Sequence, residues 1–135
     1  PAGRAVAARV ANQAGWSVAE SGTLVVVEGP RFSTRSESKW YSGQGWSIIG
    51  MTAHPEAILA RELELCFTTL ALVTDHDAGV EGGEVVSHAE VLRVFGENVA
   101  QLRTLLLDVI AAMPTERACD CGRALEGLET GIELP

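Results

Sequence analysis

The sequence predicts an α/β fold in which a mostly parallel sheet lies between helix layers. Three observations lead there. Helical and strand-like segments alternate along the chain with connections long enough for crossovers. The run "LCFTTLALVT", residues 65–74, is almost continuously apolar, as a strand covered on both faces requires. From Val91 to Val109, apolar residues recur at helical spacing through Phe95, Leu102, Leu105 and Leu106.

Each element follows from local signals. Residues 3–14, rich in Ala, Arg and Val, read as a helix stopped by Gly15. A short strand from Trp16, a turn at Ser21-Gly22 and a strong strand over 23–28 come next. Thr34 with Glu37 three residues on forms a capping box, which starts a helix over 35–42. Gly43 and Gly45 end it, and "WSIIGM" (46–51) is a buried strand. Pro55 suits the first position of a helix reaching about Glu64. After the strand 65–74 comes a Gly-rich acidic loop, 75–84. Ser87 and Glu90 then make a second capping box for a helix running to Met113, closed by Pro114. The tail holds a short helical piece near 123–128 and an apolar end. There is no repeat or linker, so the chain reads as one domain or part of one.

Bulk composition removes several functions. The 135 residues carry a net charge of −8, and the ten basic residues are scattered. Phosphate-backbone and anionic-membrane partners both need clustered Lys and Arg, so neither is expected. No stretch approaches the roughly 18 apolar residues of a membrane span. The start lacks a signal-peptide pattern and an initiator Met, as if cut from something longer. Of the three cysteines, Cys66 reads as a buried small hydrophobe. Cys119 and Cys121 form a C-x-C pair, and two thiols cannot close a zinc site without further ligands. They read as reduced thiols in a turn.

Ligands in open α/β sheets sit beyond the carboxyl ends of strands. Three such ends carry unusual residues here: "EGPRFS", "GMTAHPE" and "TDHDAG". Asp75 and Asp77 either cap turns or meet a ligand. A cation with Glu81 and Glu84 is the weakest reading, because the order of a calcium loop is absent. Phe32 is a surface anchor, a core plug or a stacking platform for a flat ring. Met51 is ordinarily core. His54 and His88 sit where helix caps sit. Arg31 and Arg35 either hold an anion or pair with Glu28 and Glu37.

Taken as a set, "EGPRFSTRSES", "IIGMTAHPEA", "ARELELCFTTLALVTDHDAG" and "SHAEVL", in this order and spacing, resemble the C-terminal half of the trimeric purine nucleoside phosphorylases. The 5′-methylthioadenosine phosphorylase branch is the most similar, and the likeness spans about residues 1–113. The resemblance implies a three-layer α/β/α fold with a mixed, mostly parallel sheet, of which 1–135 is the C-terminal part. The Gly- and Ser-bearing phosphate loop and an Arg-His pair would lie in an N-terminal half outside this sequence.

It further implies phosphorolysis of an adenine nucleoside, with inorganic phosphate as co-substrate, no cofactor and no metal. Asp75 would be the catalytic acid. Phe32, Ile49, Met51, Thr74 and Asp77 would bind the base and ribose, and Val86, His88 and Val91 the 5′ position. Thr52 would bind phosphate. Leu134 would reach a neighbouring subunit's pocket in a cytoplasmic homotrimer. The 6-oxopurine branch has Asn at the position of Asp75 and Glu at that of Ser33, so both residues here follow the adenine branch. His88 departs from the apolar residue of the methylthio branch and matches the 5′-hydroxyl branch. Rival expectations are a truncated purine-binding or assembly module, a 6-oxopurine enzyme, and a hydrolase using water, which Thr52 disfavours.

Overall fold

The computed structural model describes residues 2–77 and 87–128. Element order is α1 (Ala2–Gln13), β1 (Leu24–Val26), α2 (Arg35–Gly43), β2 (Ile48–Gly50), α3 (Ala53–Glu62), α4 (His88–Ala111) and a 3-10 turn at Asp120–Arg123. The four longer expected helices form within two residues of their sequence bounds, whereas the short piece expected near 123–128 is a 3-10 turn at Asp120–Arg123.

The reasons are local. Thr34 accepts from the Glu37 amide while the Glu37 carboxylate accepts from the Thr34 amide, so the capping box at α2 is complete. At α4 only half of the expected box forms. Ser87 Oγ accepts from the Glu90 amide, but the Glu90 side chain pairs with Arg93 instead. In α3, His54 is extended (φ −112°, ψ 130°), because the residue before a proline avoids the helical region; regular helix starts at Pro55.

β1 and β2 pair in parallel, with Leu24, Val25 and Val26 opposite Ile48, Ile49 and Gly50. The expected parallel sheet is therefore present, as two strands. Two expected strands are absent among the described residues. Residues 16–20 join no ladder, although Trp16 and Val18 still pack on the core. The apolar run 65–74 also joins none, and Val73 is 63% exposed. A strand needs a neighbour to take its amides and carbonyls. Among the described residues no segment pairs with this run in a ladder.

The core is the seam between α1 and α4. Ala7, Val10 and Ala11 of α1 bury against Leu105 and Val109 of α4, with Leu70 and Leu102 at the edge. Small residues on α1 let the two helices approach closely.

Cys66 corrects a second expectation. It is exposed, not buried, and its Sγ lies 3.4 Å from that of Cys119. The hydrogen bond with Cys119 pushes the Cys66 thiol up to about 11, whereas the Cys121 backbone amide lowers that of Cys119.

Candidate functional site

The carboxyl ends of β1 and β2 lie side by side, and the chain leaves β1 through Val27, Glu28 and Gly29. A side chain at Gly29 would press on Met51 just past β2, its Cβ 3.1 Å from the sulfur. Glycine at 29 therefore lets the two strand ends close up, and Met51 is held half-buried between them.

The loop that follows is pinned to the start of α2. Arg31 grips Glu37 with two bonds of 2.8 Å, and the Thr34 amide donates to the same carboxylate at 2.7 Å. Of the two readings of Arg31, the pair with Glu37 is the one that forms here. The Arg31 fork, with the Thr34 bonds, holds the Glu37 carboxyl down to about 2. A depressed carboxylate stabilises the folded state above its ordinary value of 4.5, and the effect is lost as pH falls towards the folded value. The loop anchor should thus persist through mild acid. A titration followed by NMR should give Glu37 a midpoint far below its ordinary value of 4.5, and an ordinary midpoint would show that the fork does not form in solution.

This anchor fixes Phe32, which stays 40% exposed. Its ring meets the imidazole of His88 edge-on, centroids 6.4 Å apart at 60°. Two residues 56 positions apart thereby share one site. His88 is the first residue of α4, but Ser87 supplies the cap and leaves the imidazole free for this contact.

The two aspartates end the segment 65–77. Thr74 Oγ1 donates to Asp75 Oδ1 at 2.6 Å, and Ser33 Oγ donates to Asp77 Oδ1 at 2.9 Å. Ser33 in turn sits 3.0 Å from the hydroxyl of Ser38, which is 4% exposed and donates to the Thr34 carbonyl. The Ser33 bond thus ties Asp77 to the Phe32 loop. Hydroxyl donors stabilise carboxylates in place and orient their remaining lone pairs.

The structure therefore unites Phe32 with His88, Ser33 with Asp77, Thr74 with Asp75, and Gly29 with Met51. Ile49 is half-buried within β2, paired with Val25. Thr52 caps α3 by position only, and its hydroxyl makes no capping bond. Val91 lies half-buried three residues along α4 from His88. Val86 and Leu134 lie outside the described residues, as do Glu81 and Glu84. A cavity of about 730 Å³ opens beside Gly29 and Met51, walled by His54, Pro55 and Phe67. It borders the site without containing either aspartate.

Sequence reading passed over Ser38 and took Ser33 only as a branch marker. The available signal was two serines flanking a capping box, the second four residues past the cap and able to bond back to its carbonyl.

A family model described as the phosphorylase superfamily matches residues 1–111. The chain belongs to the phosphorylase superfamily. A purine nucleoside phosphorylase of Streptomyces coelicolor is 61% identical across the whole of this chain, which covers 49% of that protein. An S-methyl-5′-thioadenosine phosphorylase of Mycobacterium tuberculosis is 48% identical over 87% of this chain and 45% of its own length. A 6-oxopurine nucleoside phosphorylase of Pyrococcus furiosus is 44% identical over 78% of this chain and 40% of its own. Among solved structures, a double mutant of Schistosoma mansoni adenosine/methylthioadenosine phosphorylase in complex with adenine superposes with a TM-score of 0.78. It is 30% identical, over 91% of this chain and 50% of that one. This phosphorylase chain thus spans about half the length of the relatives it matches.

Proposed function

We propose that the protein carrying this chain performs phosphorolysis of an adenine nucleoside, giving adenine and ribose 1-phosphate or its 5′-methylthio analogue. The reading rests on one observation: two hydroxyl-braced aspartates, Asp75 and Asp77, stand at one segment end, with Asp77 tied to the Phe32–His88 loop. Phe32 offers a ring face to a flat base. Phosphate attacks C1′ of the sugar, the C1′–N9 bond breaks, and its electron pair passes into the purine. Asp75 shares a proton with N7 as that charge grows. Asp77 is an acceptor for the exocyclic amine, which a 6-oxo group would turn into two facing acceptors. Thr52 contributes its hydroxyl to phosphate, and Ile49 and Met51 line the base and ribose. Thr74 supports the base edge through Asp75, and Val86, His88 and Val91 surround the 5′ position.

Phosphate is the co-substrate in this reading, and the chemistry calls for no cofactor. The chain is the C-terminal part of one domain, whose other half supplies the remaining phosphate contacts. The assembly is a homotrimer in the cytoplasm, with Leu134 of one subunit at the 5′ pocket of the next. No helix among the described residues is long and apolar enough to cross a membrane.

Assay of the complete protein tests this directly. Adenine release should require phosphate, and inosine should be a poor substrate. Release at equal rate without phosphate would make it a hydrolase, and preference for inosine would move it to the 6-oxopurine branch.

The 5′ substituent turns on His88. An imidazole beside Phe32 can hydrogen-bond a hydroxyl, whereas a thioether is a weak acceptor. Replacing His88 by Val should lower kcat/KM for adenosine on the order of tenfold, the range for one lost hydrogen bond. The methylthio substrate should be unaffected or improved. Equal effects on both substrates would show that His88 does not face the 5′ position.

A further inference from the structure

The fold gathers all three cysteines of the chain. Cys66 and Cys119 have their sulfurs 3.4 Å apart, and the three sulfurs, with that of Cys121, lie within 4.8 Å of one another. Fifty-three residues separate Cys66 from Cys119, so this is a product of folding. The C-x-C pair alone lacked ligands, and Cys66 supplies the third.

Two bonds hold the segments in register. Arg117 donates to the Glu64 carbonyl at 2.8 Å, and the Leu125 amide donates to the Glu64 carboxylate at 3.1 Å. They flank the cysteines on both sides in sequence. Gly122 lets the Arg117 guanidinium pass close to the C-x-C turn, where a Cβ would meet its Nη1 at 2.7 Å. A cation so near also offsets part of the charge that several thiolates would bring together.

The spacing fits metal ligation. With metal–sulfur bonds of about 2.3 Å, tetrahedral thiolates sit about 3.8 Å apart, inside the span seen here. Soft thiolates select d10 ions over hard cations. We propose that Cys66, Cys119 and Cys121 form a three-thiolate site for a thiophilic d10 cation, copper(I) or zinc(II), which clasps the segment 117–125 to the end of α3. Copper(I) is satisfied by three thiolates in a plane. Zinc(II) completes its shell with one external ligand such as water. None of the three cysteines is among the residues proposed to meet the nucleoside, so the role of the site is to hold the fold together.

The complete protein, reduced and kept free of oxygen, is titrated with copper(I) and separately with zinc(II) against a chromophoric chelator. One equivalent of at least one ion should bind at this site, and protease cleavage within 117–125 should slow. Binding to copper(I) alone assigns a planar site, and binding to zinc(II) a tetrahedral one. Cys66→Ser and Cys121→Ala should each weaken that binding on the order of 100-fold or more, since each removes a direct ligand. Both positions are only partly covered, and circular dichroism of the two variants should match the parent. The proposal is overturned if Cys66→Ser binds as tightly as the parent. It is equally overturned if neither ion binds better than to the variant with all three cysteines replaced by Ser, or if the thiols join in a disulfide under these conditions.

Discussion

Prepared alone, the 135-residue chain should release adenine from its nucleoside on the order of 10³-fold more slowly than a complete relative, or not at all. Of the proposed phosphate contacts only Thr52 belongs to this chain, and positioning plus charge stabilisation supply most of such a rate. The fold gives an independent reason. Its accessible surface is 10173 Å², about one and a half times what size scaling gives for a monomer of this mass. Many large apolar side chains are among the exposed residues. α4 buries Leu105 and Val109 on α1, yet it carries a second stripe through Leu92, Phe95, Val99, Leu106 and Ile110 that stays exposed. Ile58 and Leu59 stay exposed on α3, as do Leu63 at its C-cap and Leu65 and Phe67 on the unpaired run.

A surface excess of this order matches what obligate interfaces cover. The isolated chain should therefore self-associate and unfold with weak cooperativity, and co-expression with the remaining half of the protein should correct both. Sedimentation and thermal melts would show this. A monomeric isolated chain with a sharp transition and turnover near that of a complete relative would refute the division of labour between the halves.

The same exposed surface explains what was legible in the sequence. Thr34, Glu37, Ser87 and Pro55 act on neighbours within a few residues, so helix starts could be read from short windows. The run 65–74 has the composition of a strand covered on both faces, but composition reports what a segment needs and not whether this chain supplies it. Cys66 was misjudged for a related reason: lying in an apolar run made it look buried, while its contacts come from 53 residues away. The aspartates stood out because two carboxylates at one strand end are unusual in any turn. Their bracing by Thr74 and Ser33 was not legible, since Ser33 reaches Asp77 across 44 residues and a hydroxyl carries no spacing signal. Phe32 and His88 entered through family resemblance, and only the fold puts them in contact.

Asp75→Asn in the complete protein should lower kcat for an adenine nucleoside on the order of 100-fold or more while changing nucleoside binding little. The geometry gives Asp75 one oxygen engaged by Thr74, and its second oxygen has no partner among the described residues. Asparagine keeps the shape and can still accept from Thr74, so the Thr74 contact and the local fold should survive. It cannot share a proton, and the loss falls where negative charge accumulates on the departing purine. A residue that works mainly in the transition state lowers kcat and kcat/KM together, whereas one that only binds raises KM. The amide also presents a donor where the carboxylate presented acceptors. Purines with a 6-oxo group, whose base edge is richer in acceptors, should therefore lose less activity than adenine nucleosides, and the ratio of the two should shift towards inosine. Thr74→Val supplies a check on the bracing: it should give a smaller fall in kcat, because the carboxylate remains but its orientation is no longer fixed. If Asp75→Asn stays within about twofold of the parent in kcat, the acid is not Asp75, and the braced aspartate serves the fold of the 74–77 turn instead.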